Sequence, residues 1–259
     1  MRPPRDPAGL SCAGDGRTRP PRAVAPSVWA LPDGDAADAD GLVGIGADLA
    51  PATLVDAYRR GIFPWPHPGV PLPWFCPDPR GVVSPDTVHV ARSLRRTLRR
   101  SGWHTTVDAA TAAVIDACGQ RPQDEGTWIS AEMHRAYLHL HRIGWVHSVE
   151  VWDGTTLVGG IYGVQLGGVF TGESMFHRAS DASKVALVDL LDRFTTAGGG
   201  LLDVQLQTPH LASLGATELA RHDFLDLLLQ HRDRVVRMPC GPRPVSRLVD
   251  RFRRLGDHG

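Results

Sequence analysis

The sequence predicts an α/β (α+β) fold. Its core is an antiparallel meander of three strands, then a helix and one more strand, all preceded by a small proline-rich domain. Three observations carry this. Apolar and alternating runs at 147–152, 156–164 and 169–176 are separated by Asp153-Gly154 and Gly167-Gly168, pairs that favour tight hairpin turns. The apolar run 182–197 has helical length and meets three glycines, Gly198 to Gly200, which stop a helix. The stretch "LLDVQLQ" then alternates, with Leu202, Val204 and Leu206 on one face and Asp203, Gln205 and Gln207 on the other. A helix returning to the same sheet makes that last strand parallel to the one before it.

The bulk composition bounds the function. The chain has 259 residues, 42% of them hydrophobic, and zero formal net charge. Neutrality gives no global attraction for nucleic acid or a membrane, so any anion site must be a local patch. Basic residues are nearly all arginine, and Lys184 is the single lysine. Cys12, Cys76, Cys118 and Cys240 are widely spaced, which argues against a zinc ribbon or a disulfide framework and suits a reducing cytoplasm. No run approaches the ~20 apolar residues of a membrane helix, and the N-terminus lacks the apolar core of a secretory leader.

Four segments follow along the chain. Residues 1–26 are rich in Pro, Arg, Gly and Ala and read as a disordered tail. Residues 27–85 form a small N-terminal domain, with one helix from Pro51 to Gly61. Its segment "IFPWPHPGVPLPWFCPDPR" has seven prolines and two tryptophans, which forbids a helix or a central strand. It is either an apolar wrap over a neighbouring core or a platform for a flat ligand. Residues 86–232 hold the meander. They also hold a basic helix near 90–100, a strand at 103–107, a helix opened by Asp108 and closed by Gly119, and a helix from Ser130 to Gly144. Residues 233–259 read as an arginine-rich tail with a short helix over 245–255.

The order of meander, helix and parallel strand resembles the GNAT-type acyltransferase fold. In that fold the two parallel strands splay and the activated donor sits between them. The gap then has Glu173 on one wall and Asp203 and Gln205 on the other. A Gly-rich turn that cradles the pyrophosphate of coenzyme A is absent, because "HRASDASK" follows the third strand of the meander. An acyl-coenzyme A N-acyltransferase and a non-catalytic RNA-binding module are the rival readings.

The motifs "GLVGIGADL", "AYRRGIFPW", "WFCPDPRGVV", "EGTWIS", "HSVEVWDG", "LVGGIYGV", "GESMF", "ASKVAL" and "QTPHLASLGA" occur in that order. Together they resemble the leucyl/phenylalanyl-tRNA–protein transferase family over roughly residues 41–228. The resemblance implies a donor aminoacyl-tRNA carrying Leu or Phe, with Met a further candidate. It implies an acceptor protein whose N-terminal residue is Arg or Lys, and a product marked for degradation. It implies no cofactor, no metal and no membrane, and a cytoplasmic enzyme.

Site residues follow residue by residue from the same resemblance. Asp203 polarises the Gln205 amide, and the Gln205 carbonyl accepts from the attacking amine or positions it. Glu173 contacts an amino group of donor or acceptor. Ile161, Phe170 and Met175 line the pocket for the Leu or Phe side chain. Trp65, Trp74 and Trp128 match substrate-binding positions, with Trp65 and Trp128 stacking on the terminal adenosine. Arg92, Arg95, Arg96, Arg99 and Arg100 form a basic helix for tRNA phosphates, or else a solvated face. His134, His139, His141 and His147 do not share one helical face and are expected to hold no metal.

Overall fold

A computed structural model describes residues 12–67, 69–120 and 129–251. The N-terminal part builds β1 (Leu42–Ile45), α1 (Pro51–Arg59), β2 (Phe63–Pro64) and β3 (Pro73–Phe75). Pro51 occupies the first helical turn of α1, where no amide partner is needed, and Gly61 turns the chain away with φ 78°. The three strands form a sheet in the order β1-β3-β2. The segment expected to exclude a central strand therefore supplies one. It can do so because Pro73 stands at the first residue of β3, where a missing donor is tolerated.

The remaining elements are β4 (Arg80–Val83), α2 (Arg92–Arg100), β5 (His104–Val107), α3 (Thr111–Gly119), α4 (Ala131–Arg142) and β6 (Val146–Asp153). They continue with β7 (Thr156–Leu166), β8 (Val169–His177), α5 (Ala182–Thr196), β9 (Leu201–Gln205), α6 (Pro209–Ala212) and β10 (Thr217–Leu219). Last come α7 (Arg221–His231), β11 (Arg243–Pro244) and α8 (Leu248–Arg251). Eight strands make one sheet in the order β10-β4-β9-β8-β7-β6-β5-β11. The meander β6-β7-β8 is antiparallel, and β9 returns parallel to β8 after α5. This is the GNAT-like α/β arrangement expected from the sequence. Strand β4 falls in the segment assigned to the N-terminal domain, yet it inserts between β10 and β9, so the large sheet begins before residue 86.

Apolar side chains cover both faces of the sheet. On one face α5 is buried nearly all round, with Val185, Leu187, Leu190 and Phe194 in the core. Its first turn lies directly on β7: a Cβ at Gly159 would come within 2.5 Å of the Ala182 methyl. Only glycine permits that approach, and the consequence is a fixed position for the start of α5. On the other face α1, α3, α4 and α7 enclose a second core around Leu54, Met133, Tyr137 and Phe224.

The fold departs from several expectations. Asp108 does not open a helix. It sits at φ 57°, and its carboxylate accepts from the Ser148 amide at 3.0 Å and meets His147 Nδ1 at 2.7 Å, while α3 starts at Thr111. Residues 12–26 and 233–251, read as tails, lie on the body. Thr18 N–H bonds to Met238 O, Arg22 N–H bonds to Ile143 O, and Arg247 pairs with Asp189 and Asp192 of α5. Cys12 and Cys240 form a disulfide with Cα atoms 6.2 Å apart, which leaves Cys76 and Cys118 as the two thiols. Spacing along the chain, here 228 residues, says nothing about approach in space once the two ends run side by side. The helix expected over 245–255 is a short 3-10 turn, Val245–Arg247, followed by α8; residues past 251 lie outside the described ones. Among the described residues no helix is long and apolar enough to cross a membrane.

Candidate active site

Parallel pairing of β8 with β9 ends at Thr171↔Asp203. Beyond that pair the strands part, and a cavity of about 510 Å³ fills the gap. Its walls include Glu173, Met175 and His177 from β8, Gln205 from β9, Ser183 from α5, and Trp65 from the proline-rich segment.

The end of β9 is not regular. Gln205 has φ 63°, and Leu206 N–H bonds to Val204 O across it, a three-residue turn. A left-handed glutamine costs on the order of 1 kcal/mol and persists only where its surroundings hold it. Asp203 does the holding, because its Oδ1 accepts the Gln205 backbone N–H at 2.8 Å. The turn aims the Gln205 side chain across the gap, where Nε2 donates to Glu173 Oε1 at 3.1 Å. That bond fixes which way the amide faces. Its carbonyl oxygen has no partner among the described residues and belongs to a residue lining the cavity.

Asp203 therefore touches the backbone of Gln205 and not its side-chain amide, which corrects the sequence reading. The reason is the left-handed turn, which breaks the alternation that would have set both side chains side by side. The Asp203 carboxylate is fully buried against Arg80, with Nε at 2.8 Å and the second guanidinium nitrogen at 2.7 Å. Thr171 Oγ1 donates to it at 2.9 Å. The Arg80 guanidinium lies between the rings of Phe63 and Phe224, 4.9 and 4.3 Å from their centroids, and donates to Gly61 O at 3.0 Å. Such a bidentate, hydrogen-bonded pair is the form in which two charges survive burial.

Glu173 is 9% exposed and accepts from Tyr58 OH at 2.7 Å and Tyr137 OH at 2.8 Å as well as from Gln205. Burial pushes its carboxyl up to about 7, outweighing the bonds from the two tyrosines. The third tyrosine, Tyr162, packs edge-on to Tyr137 with ring centroids 5.6 Å apart. All three tyrosines of the chain thus surround one carboxyl group. Sequence reasoning misses them because each sits alone in an apolar helix or strand pattern. The tyrosine count, three in 259 residues, is the only available hint. It misses Arg80 as well, although a charged residue opening the strand "RGVV" is a signal of a buried partner.

The other expected residues divide. Met175 and Trp65 line the cavity. Trp65 lies edge-on to Phe75, with centroids 5.8 Å apart, and stacks with His67 at 5.9 Å. Ile161 and Phe170 do not line the cavity. Both are core residues, and Phe170 packs on Phe194 under the sheet. Trp74 is 2% exposed and donates to Gly46 O at 2.7 Å, which makes it a strut of the small sheet. Trp128 lies outside the described residues. In α2, Leu94 and Leu98 face the core while Arg92, Arg96, Arg99 and Arg100 are exposed and make no ion pair with described residues. Arg95 instead donates to Val90 O at 3.0 Å.

Known proteins share this architecture's sequence. The family model described as leucyl/phenylalanyl-tRNA protein transferase matches residues 82–229, and the model for that enzyme's N-terminal domain matches residues 47–78. The chain belongs to the leucyl/phenylalanyl-tRNA–protein transferase family. A relative of that name from Chromohalobacter salexigens is 56% identical over 193 residues, covering 74% of this chain and 75% of its own. One from Anaeromyxobacter dehalogenans is 50% identical over 198 residues, covering 76% and 85%. Of solved structures, L-PGS from Bacillus licheniformis aligns over 75% of this chain and 67% of its own at 11% identity with a TM-score of 0.36. The two transferase-family segments leave out residues 79–81. Arg80 lies there, at the junction of the small sheet and the large one, and its ion pair with Asp203 ties the two matched segments together.

Proposed function

We propose that this protein transfers Leu or Phe from aminoacyl-tRNA to the N-terminal α-amine of acceptor proteins that begin with Arg or Lys, and that the product is thereby marked for degradation. The observation that carries the reading is the Gln205–Glu173 bridge across the splayed strands. It puts an unpartnered amide carbonyl and a buried carboxyl on the wall of a cavity large enough for an aminoacyl-adenosine end.

The donor ester is already activated, so no nucleophilic side chain is required. The acceptor amine attacks the ester carbonyl, a C–N bond forms, the bond to the ribose oxygen breaks, and the proton lost by nitrogen ends on that oxygen. Gln205 Oε1 accepts from the attacking N–H and orients its lone pair. Glu173 holds the Gln205 amide in place and presents an acidic surface to an ammonium group. Asp203 and Arg80 act through the backbone turn, as positioning residues. Met175 gives the side-chain pocket an adaptable wall, and Trp65 offers an aromatic edge or face to the terminal adenine. Arg92, Arg96, Arg99 and Arg100 face phosphates of the acceptor arm.

The test is transfer itself. Labelled Leu-tRNA is incubated with a peptide beginning with Arg, and with the same peptide acetylated at its N-terminus. Label on the first peptide alone supports the reading; equal labelling of both, or of neither, contradicts it.

A further inference from the structure

We propose that the first turn of α5 binds the phosphodiester that precedes the terminal adenosine of the donor. This rests on the transferase reading above and adds a subsite to it. The turn carries two open donors. Ala182 N–H bonds to Ala179 O and Val185 N–H bonds to Asp181 O, but the backbone N–H groups of Ser183 and Lys184 have no acceptor among the described residues. Unsatisfied amides at the start of a helix of 15 residues attract an anion through their own polarity and the helix dipole.

A second observation is independent of the helix. Ser183 is 4% exposed, lines the same cavity as Glu173 and Gln205, and its hydroxyl has no hydrogen-bond partner among the described residues. A hydroxyl on the cavity wall with no protein partner is free to donate to a ligand oxygen.

Charge around the turn agrees. Lys184, the chain's single lysine, is held by Asp181 Oδ1 at 2.8 Å. Asp181 stands at the cap position, yet its side chain caps nothing: it is taken by Lys184 and by Thr97 Oγ1 at 3.0 Å. His177 and His210 line the cavity beside it. Burial first, and then Lys184 and His177 as neighbours, holds the His210 imidazole below its ordinary pKa. Thr97 belongs to α2, so the arginine helix and the start of α5 touch directly. A single strand can run from the α2 arginines past Lys184 to the cavity mouth, with its last phosphate at the Ser183 and Lys184 amides. The glycine-rich cradle of coenzyme A enzymes is not needed for one phosphodiester.

Two minimal donors test this: phenylalanyl-adenosine and the same compound carrying a 5′-phosphate. At low salt the phosphorylated donor is expected to have a KM lower by about tenfold, the scale of one set of charge-assisted hydrogen bonds. That ratio should fall toward one in Ser183→Ala and in Lys184→Gln. Because the ratio is taken within each protein, a general loss of activity does not alter it. Equal KM values for the two donors in the unsubstituted protein overturn the subsite and leave the transferase reading standing. A phosphate preference that survives both substitutions places the phosphate elsewhere and overturns it too. Transfer from neither donor by the folded protein overturns the transferase reading and the subsite with it.

Discussion

Gln205 and Glu173 belong to neighbouring parallel strands that have ceased to pair, and a 3.1 Å hydrogen bond from amide to carboxyl spans the gap between them. The bond depends on a left-handed Gln205, and that conformation depends on the Asp203 carboxylate beneath it. The site is therefore a stack: Arg80 fixes Asp203, Asp203 fixes the turn, and the turn aims the amide at Glu173. Each layer can be tested separately.

Asp203→Asn leaves the buried Arg80 guanidinium without a counter-charge. Loss of one partner of such a pair costs about 3–5 kcal/mol, which should show as a lower denaturant midpoint. Turnover should fall in the same protein, since the Gln205 turn loses its anchor. Full stability in Asp203→Asn would mean that Arg80 finds compensation within the site.

Glu173 and Glu150 are both pushed up to about 7 by burial, from an ordinary 4.5. Glu150 is fully buried and accepts from Thr106 Oγ1 at 2.5 Å and from Ser148 Oγ. Between 4.5 and about 7 the folded protein keeps protons that the unfolded chain has released. Their contribution to stability is thus complete below 4.5, falls as pH rises through that window, and is level above about 7. Each group accounts for roughly 3 kcal/mol of the fall. Unfolding midpoints measured from about pH 5 to about pH 8 should decline less in Glu173→Gln and in Glu150→Gln. An unchanged decline in both would show that neither carboxyl is protonated in the fold.

The meander, the crossover helix and the parallel strand could be read from the sequence because each is a local pattern: period-two alternation, a glycine pair, a long apolar run. The cleft position followed from that order. The division of labour inside it did not. Asp203 and Gln205 are two apart and so share a face in any regular strand, and only the turn at Gln205 separates their roles. Arg80 and Tyr58 reach the site from 123 and 115 residues away along the chain, a distance no periodicity spans. Ile161 and Phe170 match a pocket by residue type, but on a strand buried on both faces type does not tell the pocket side from the core side.

The exposed face of α2 should govern use of whole tRNA. Replacing Arg92, Arg96 and Arg99 by Ala should weaken tRNA use and flatten its dependence on salt, by about one unit of logarithmic slope for each phosphate no longer engaged. Arg95 is left in place because it braces Val90 O. Equal losses on tRNA and on phenylalanyl-adenosine would point to damage of the fold instead.

The Cys12–Cys240 disulfide lies beside β5 and Gly16, and neither cysteine lines the cleft. Reduction, or the change Cys12→Ser, should lower stability by about 2–4 kcal/mol while turnover below the melting range stays the same. Alkylation of the unfolded protein should then count four thiols after reduction and three in Cys12→Ser, in place of two. Four reactive thiols before any reductant is added would show that the bond does not form.

The most direct measurement is single-turnover transfer by Gln205→Ala, with thermal melting and donor affinity determined on the same sample. The substitution removes the carbonyl that receives the attacking amine and leaves Arg80, Asp203 and Thr171 in place. The expected result is a folded protein that binds donor nearly as before and transfers it more slowly by about 10²-fold or more, the scale of a lost proton-accepting or positioning group. Unchanged transfer by the folded variant would contradict the account and remove Gln205 from the chemistry.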